Sequence, residues 1–222
     1  MQISANISHD LKTPLTMIKA YAEMSIDIHK NNEDKQRKDM ETIIEEADRL
    51  TLLVSDILTL SKMQSNVEIL NIEEFDIIEL ITNILKRYEY LQETENYHFK
   101  FIHKNKKIII KADKQKMEQV IYNLINNAIN YTGQDNTVII KVINNQEIKI
   151  EIIDTGKGIK EEELPHIWNR YYKNQKKHKR HLIGTGLGLS IIKEILEAHN
   201  FNYGVKSIEN KGTTFYFYIK KN

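Results

Sequence analysis

The stretch Ser8-His9-Asp10-Leu11-Lys12-Thr13-Pro14-Leu15 sets an imidazole beside a carboxylate and close to a hydroxyl. On a helix, His9 lies about 200° around the axis from both Ile7 and Leu11, so it points away from their apolar face. Thr13, four residues on, shares the exposed stripe of His9. Asp10 can reach the ring from the side. A neutral exposed imidazole is a competent nucleophile, and an adjacent carboxylate can orient it and take its second ring proton. Pro14 removes an internal hydrogen bond and usually bends a helix, so its place needs a reason.

Two further regions could bind rather than react. Asn123, Asn127, Asn130 and Tyr131 fall on one stripe of a helix whose opposite face is Met117, Ile121, Leu124 and Ala128. Asparagine is a mediocre helix former, so such a stripe calls for a partner, although this Asn-rich chain also places Asn on solvent faces. An amide oxygen can ligate Mg²⁺, a cation that leans on phosphate oxygens. Asp154-Thr155-Gly156-Lys157-Gly158 closes an apolar strand. Its carboxylate can accept a hydrogen bond from an exocyclic amine such as that of adenine, and its glycines allow a tight turn close to a ring. Gly184-Thr185-Gly186-Leu187-Gly188-Leu189 opens a helix, where backbone N–H groups suit phosphate. No Gly-Lys-Ser/Thr follows, so it is no P-loop. The preceding residues are basic and not a strand, so it is no dinucleotide fingerprint either.

The elements that position these groups follow from periodicity. Ile7, Leu11, Leu15, Ile18 and Ala22 mark one face of a first helix. After the polar break Lys30-Asn31-Asn32-Glu33, a second helix carries Met40, Ile43, Ala47, Leu50, Val54, Ile57 and Ser61, flanked by Ile44, Leu53, Leu58 and Leu60. That stripe is wider than a lone hairpin covers, which predicts self-association into a four-helix bundle. Beyond it the pattern predicts helix 77–93, strands 98–102 and 108–112, helix 114–131, strands 137–144 and 148–154, helix 188–199, and strands 203–208 and 213–219. The fold class expected is therefore α+β. A helical hairpin in 1–65 would form the dimeric bundle, and 66–222 would form an α/β sandwich.

Bulk composition removes other classes. The 222 residues are 41% hydrophobic and 28% charged, ordinary for a globular protein. Lys+Arg 32 against Asp+Glu 31 gives no electrostatic reason to expect nucleic acid as a partner. The absence of cysteine excludes disulfides and thiolate metal sites. No apolar run approaches the ~20 residues of a membrane span, so no membrane contact is expected within these residues.

Together the motifs resemble those of the sensor histidine kinases of two-component systems. His9 to Leu15 resembles the phospho-acceptor box, with Ile3 at an upstream position where the family usually has Phe. The Asn stripe, the Asp154 loop and the Gly184 loop look like the N, G1 and G2 boxes of the Bergerat-type ATP-binding domain. Leu164–Lys173 is similar to the F box, with Trp168 and Tyr171 at its aromatic positions, and Gly212-Thr213-Thr214-Phe215 resembles the end of G3. The resemblance implies phosphorylation of His9 by ATP, assisted by Asp10, and transfer to an aspartate of a response-regulator receiver domain. It implies that Thr13 positions water for phosphatase activity on that regulator and that Asn127 ligates Mg²⁺, with Asn123 nearby. It further implies that Asp154 reads adenine beside Tyr131, that Gly156 and Gly158 shape this loop, and that Gly184, Thr185, Gly186, Leu187 and Gly188 hold phosphates, with Thr213 closing the site. The cofactors implied are ATP and Mg²⁺, and the setting is the cytoplasmic portion of a membrane-anchored sensor.

Three residues depart from the family pattern. Asn130 stands where many relatives have Lys, Lys173 replaces a frequent Arg, and Asn210 takes the place of a Gly. Asn130 and Lys173 leave room for a nucleotide-occupied dimeric scaffold that signals without turnover, while His9, Asn127 and Asp154 count against it. A Bergerat ATPase acting on DNA or proteins is a second alternative, which the histidine helix and the near-neutral charge disfavour.

Overall fold

The computed structural model describes residues 2–64, 69–169 and 186–221, and they divide into two compact units, Met1–Ser61 and Lys62–Asn222. The first is a hairpin of α1 (Gln2–Asp27) and α2 (Glu33–Gln64). Asn32 starts α2, its Oδ1 accepting the Lys35 N–H at 3.0 Å and so satisfying one of the free donors of a helix start. At the turn, His29 Nδ1 meets Asp39 Oδ2 at 2.7 Å, and the Gln36 amide donates to the Ser25 carbonyl at 3.1 Å. Helix α1 runs unbroken through Pro14, a residue with no N–H to give to the helix.

The expected apolar stripe is only partly covered by the hairpin. Leu53 is buried, yet Leu15, Met40, Ile44, Val54 and Leu58 are exposed, Ile44 by 60% and Leu58 by 55%.

The second unit joins two sheets to a helical layer. Strand β1 (Ile72–Asp76) pairs antiparallel with β3 (Ile109–Asp113). The larger sheet has the order β2-β4-β5-β7-β6. It comprises β2 (His98–His103), β4 (Thr137–Asn144), β5 (Glu147–Asp154), β7 (Gly212–Lys220) and β6 (Tyr203–Ile208). Only the β2–β4 pair is parallel. Helices α3 (Ile77–Lys86), α4 (Glu89–Thr94), α5 (Lys114–Tyr131) and α6 (Gly188–Ala198) complete the unit.

Strict alternation along β5 buries Ile148, Ile150 and Ile152, and Phe215, Phe217 and Ile219 of β7 oppose them in register. Met117, Val120, Ile121, Leu124, Ile125, Ala128 and Ile129 of α5 are also buried. Full burial of one such side chain contributes roughly 1.5–3 kcal/mol, so this layer is the main support of the unit.

Two sequence expectations change. The helix expected over 77–93 is two helices, because Tyr88 turns inward. It is 4% exposed, its ring stacks on Phe99 and Tyr122, and its hydroxyl donates to Asn126 Oδ1 at 2.7 Å. Strand β1 was not expected. Only Phe75 of its five residues is buried, so it lacks the alternation that reveals a strand.

Candidate functional site

Asp154 is the next inward position after Ile152 on β5, so its carboxylate ends an apolar row and is only 3% exposed. Its Oδ1 accepts the Gly156 N–H at 2.9 Å and the Thr213 N–H at 3.2 Å, while Oδ2 takes no hydrogen bond among the described residues. Burial outweighs both donors and pushes the carboxyl up to about 6. A buried acceptor held by one oxygen and open at the other suits an incoming N–H donor.

The loop after Asp154 is locked from three sides. A Cβ on Gly156 would overlap the Tyr131 carbonyl, and one on Gly158, at φ +67°, would overlap that of Ile208. The Asn210 N–H donates to the Lys157 carbonyl at 2.6 Å. Asn210 itself has φ +62°, a conformation that Asn tolerates better than most residues, so it can do the work of the glycine it replaces. Gly212, at φ +100°, lies against the backbone of Asp154.

Sequence reasoning passed over a second brace. Thr132 Oγ1 donates to the Thr137 carbonyl at 2.7 Å and lies 2.9 Å from Thr155 Oγ1, while the Thr155 hydroxyl donates to Asp135. That hydroxyl, ahead of every other cause, holds Asp135 below the usual carboxylate range. The brace ties the end of α5 to the residue after Asp154. Its only sequence signal is a pair of threonines beside glycines.

On α5, Asn123, Asn127 and Asn130 are half-buried and Tyr131 is 44% exposed. Burial, then the nearby Asp154 charge, raises the Tyr131 hydroxyl. Asn123 Nδ2 and Asn130 Oδ1 are buried without a hydrogen-bond partner among the described residues. Such orphans in an otherwise satisfied helix call for a polar ligand, and one free donor with one free acceptor matches phosphate oxygens and a cation.

Helix α6 begins with neither a capping side chain nor a carboxylate in its first turn. Leu187 is fully buried and anchors the turn, Gly186 has φ +76°, and a Cβ on Gly188 would meet nothing within 4 Å. A helix start with no side-chain cap suits an anion, which its first N–H groups can receive. Of the F-box residues, Trp168 packs edge-on to Tyr203 and Phe215 at 4.9 and 5.7 Å between centroids. Tyr171, Lys173, Gly184 and Thr185, with the basic run 173–180, lie outside the described residues.

In the helical unit, Thr13 is exposed and Asp10 half-buried on α1. The His9 backbone is helical one turn before Thr13, and its side chain lies outside the described set. Asp10, Thr13 and His9 belong to one unit and the Asp154 site to the other.

Residues 112–222 match the family model of the histidine kinase-, DNA gyrase B- and HSP90-like ATPases. Residues 1–66 match that of the His Kinase A (phospho-acceptor) domain. The sensor histidine kinase WalK of Bacillus subtilis (strain 168) is 34% identical over 218 residues, covering 96% of this chain and 35% of the relative. The sensor protein kinase WalK of Staphylococcus aureus (strain MRSA252) is 36% identical over 215 residues, with the same coverage of 96% and 35%. The chain thus spans about a third of the length of these curated relatives. Among solved structures, histidine kinase ThkA in complex with response regulator protein TrrA matches with a TM-score of 0.79 and 26% identity, over 100% of this chain and 61% of that one. Acinetobacter baumannii histidine kinase AdeS shares the fold, with a TM-score of 0.75 at 24% identity over 96% of this chain and 98% of that one. With a phospho-acceptor model on its helical hairpin and an ATPase model on its α/β unit, the chain belongs to the sensor histidine kinases.

Proposed function

We propose that this chain moves a phosphoryl group from ATP to His9 and on to an aspartate of a response-regulator receiver domain. The observation that carries the reading is Asp154, buried, fixed through Oδ1 by two backbone donors, and uncommitted at Oδ2. Oδ2 would accept the adenine amine while Tyr131 flanks the ring. The N–H groups opening α6 would hold phosphate oxygens, and Asn123 Nδ2 would donate to another. Mg²⁺, held through the Asn127 amide oxygen with Asn130 Oδ1 near, would neutralise phosphate charge.

In the first transfer a ring nitrogen of His9 bonds to the γ-phosphorus as the bond to the ADP oxygen breaks. ADP leaves with the electron pair, and the proton on the other ring nitrogen passes to Asp10. In the second, an aspartate oxygen of the receiver takes the phosphorus, the P–N bond breaks, and the ring regains its proton. Exposed Thr13 would hold water for hydrolysis of the receiver's phospho-aspartate. ThkA, solved with the response regulator TrrA, supports a partner of this class.

We read 1–65 as the dimerisation and phospho-acceptor domain and 66–222 as the catalytic one. The exposed apolar stripe of α1 and α2 supports a homodimer. No helix among the described residues is long and apolar enough to cross a membrane, and a reaction that consumes ATP suits the cytoplasmic portion of a sensor.

The test is incubation with γ-labelled ATP. Acid-labile, alkali-stable label that His9→Ala abolishes, with ATP binding intact, is the expected result. Acid-stable label, or a fully labelled variant, would sink the assignment.

A further inference from the structure

The end of the sheet remote from Asp154 carries a second charged feature. A groove of about 400 Å³ opens between β3, the β4–β5 turn and the end of β7. Its distance from the nucleotide end is set by β5, which runs from Ile148 in the groove to Asp154, about 20 Å of extended chain.

Four lysines, Lys107, Lys111, Lys220 and Lys221, line this groove against the single carboxylate of Glu74. Lys111 is paired with Glu74 at 3.2 Å, and the Lys221 ammonium donates to the Asn145 carbonyl. Lys107 and Lys220 have no acidic partner among the described residues and are exposed. Of the isoleucines in the lining, Ile108, Ile110 and Ile148 are buried and Ile109, between Lys107 and Lys111, is 47% exposed. The amide of Asn144 also lines the groove, and its Oδ1 is buried with no hydrogen-bond partner among the described residues.

We propose that this groove binds an acidic, apolar peptide segment of a partner protein. The lining chemistry separates this ligand from other anions. Unpaired ammoniums at the rim call for carboxylates or phosphates. An inorganic phosphate chain would leave Ile109 uncovered, whereas acidic side chains flanking an apolar one match Lys107, Lys220 and Ile109 together. A bilayer is flat and cannot reach the floor of a groove. Single-stranded nucleic acid needs aromatic platforms for its bases, and the lining contains none. The orphaned Asn144 oxygen can accept a backbone N–H of the peptide. Because the nucleotide lies at the other end of the sheet, the peptide and ATP bind together.

The experiment is fluorescence anisotropy with the whole chain, in saturating ATP so that the nucleotide site is filled. The probe is fluorescein-labelled Glu-Ile-Glu-Ile-Glu, compared with its all-glutamine counterpart, with tripolyphosphate and with vesicles containing phosphatidylglycerol. The acidic peptide should bind saturably and the glutamine peptide should not. Binding should weaken with salt. Lys107→Glu together with Lys220→Glu should weaken it by about tenfold or more, since like charges then face the ligand. Both lysines are exposed, so the variant should keep its unfolding temperature and ATP affinity, and Lys107→Gln with Lys220→Gln should give an intermediate loss. Failure of the acidic peptide to saturate overturns the proposal, as does equal binding of the glutamine peptide or indifference to the charge reversal. Binding of tripolyphosphate or vesicles in place of the peptide overturns it in favour of those ligands. None of these outcomes touches the assignment of His9, which is read by phosphorylation.

Discussion

Gly156 packs so closely on the carbonyl oxygen of Tyr131 that any side chain at that position would overlap it. This contact joins the loop carrying Asp154 to the end of α5, and with it the two flanks of the proposed adenine site. Gly156→Ala should therefore shift the loop and weaken ATP binding by more than tenfold, since the misplaced Asp154 loses a charge-assisted hydrogen bond of roughly 1.5–3 kcal/mol. Gly188→Ala is the contrasting case, because a Cβ there meets nothing. That variant should unfold at or above the temperature of the original chain, Ala being the better helix residue by about 1 kcal/mol. Any loss of its ATP affinity then reports contact with the nucleotide alone. Calorimetric titration of both variants decides this, and unchanged affinity in Gly156→Ala would separate the loop from binding.

The raised carboxyl of Asp154 gives two pH dependences. Its folded value near 6 lies above the ordinary 3.8, so the folded unit holds the proton more tightly than the unfolded chain does. Its contribution to stability is then full below about pH 4 and is lost as pH rises through about 6, by about 3 kcal/mol in all. Asp154→Asn should abolish that slope in urea titrations. Ligand binding runs the other way, because the ionised carboxylate is the better acceptor. Adenosine, which carries no phosphate to titrate, should bind roughly tenfold more tightly at about pH 7 than at about pH 5. A flat affinity profile would show that Asp154 does not face the base.

Ile44 and Leu58 lie on one helix, both more than half exposed in the single chain. Ile44→Glu with Leu58→Glu should leave the hairpin intact and break the dimer. Each apolar side chain removed from such an interface forfeits about 1.5–3 kcal/mol. Sedimentation at micromolar concentration should show a dimer that becomes a monomer in the variant. A monomeric unmodified chain would refute the bundle.

Thr13 lies four residues, about 6 Å of helix rise, beyond His9 and is exposed. Thr13→Ala should keep autophosphorylation and forward transfer yet slow dephosphorylation of the partner regulator. Decay of the purified phospho-regulator with each kinase is the measurement. Equal rates would leave Thr13 an ordinary surface residue.

How much of this was readable beforehand depended on whether a signal was local. Alternation along Glu147–Asp154 placed Asp154 at a strand end, and its inward direction follows from the same parity. The asparagine stripe and the open start of α6 were likewise written in spacing. What stayed hidden depends on distant partners. The inward turn of Tyr88 is decided by Phe99 and Tyr122, and the Thr132–Thr155 brace joins residues 23 apart. The groove is assembled from four separate stretches, and its lysines look like ordinary solvated charge in sequence. Asn210, at a position where the family often has Gly, takes a left-handed backbone that the sequence alone does not reveal.

Trp168 is the only tryptophan in the chain, and it lies edge-on to Phe215, two residues beyond the Thr213 that holds Asp154. Its indole is therefore an intrinsic optical probe connected through one strand to Asp154, at the proposed adenine end of the site. Filling of the proposed nucleotide site should change its emission in unlabelled protein, readable with stopped-flow time resolution and free of the background that a second indole would add.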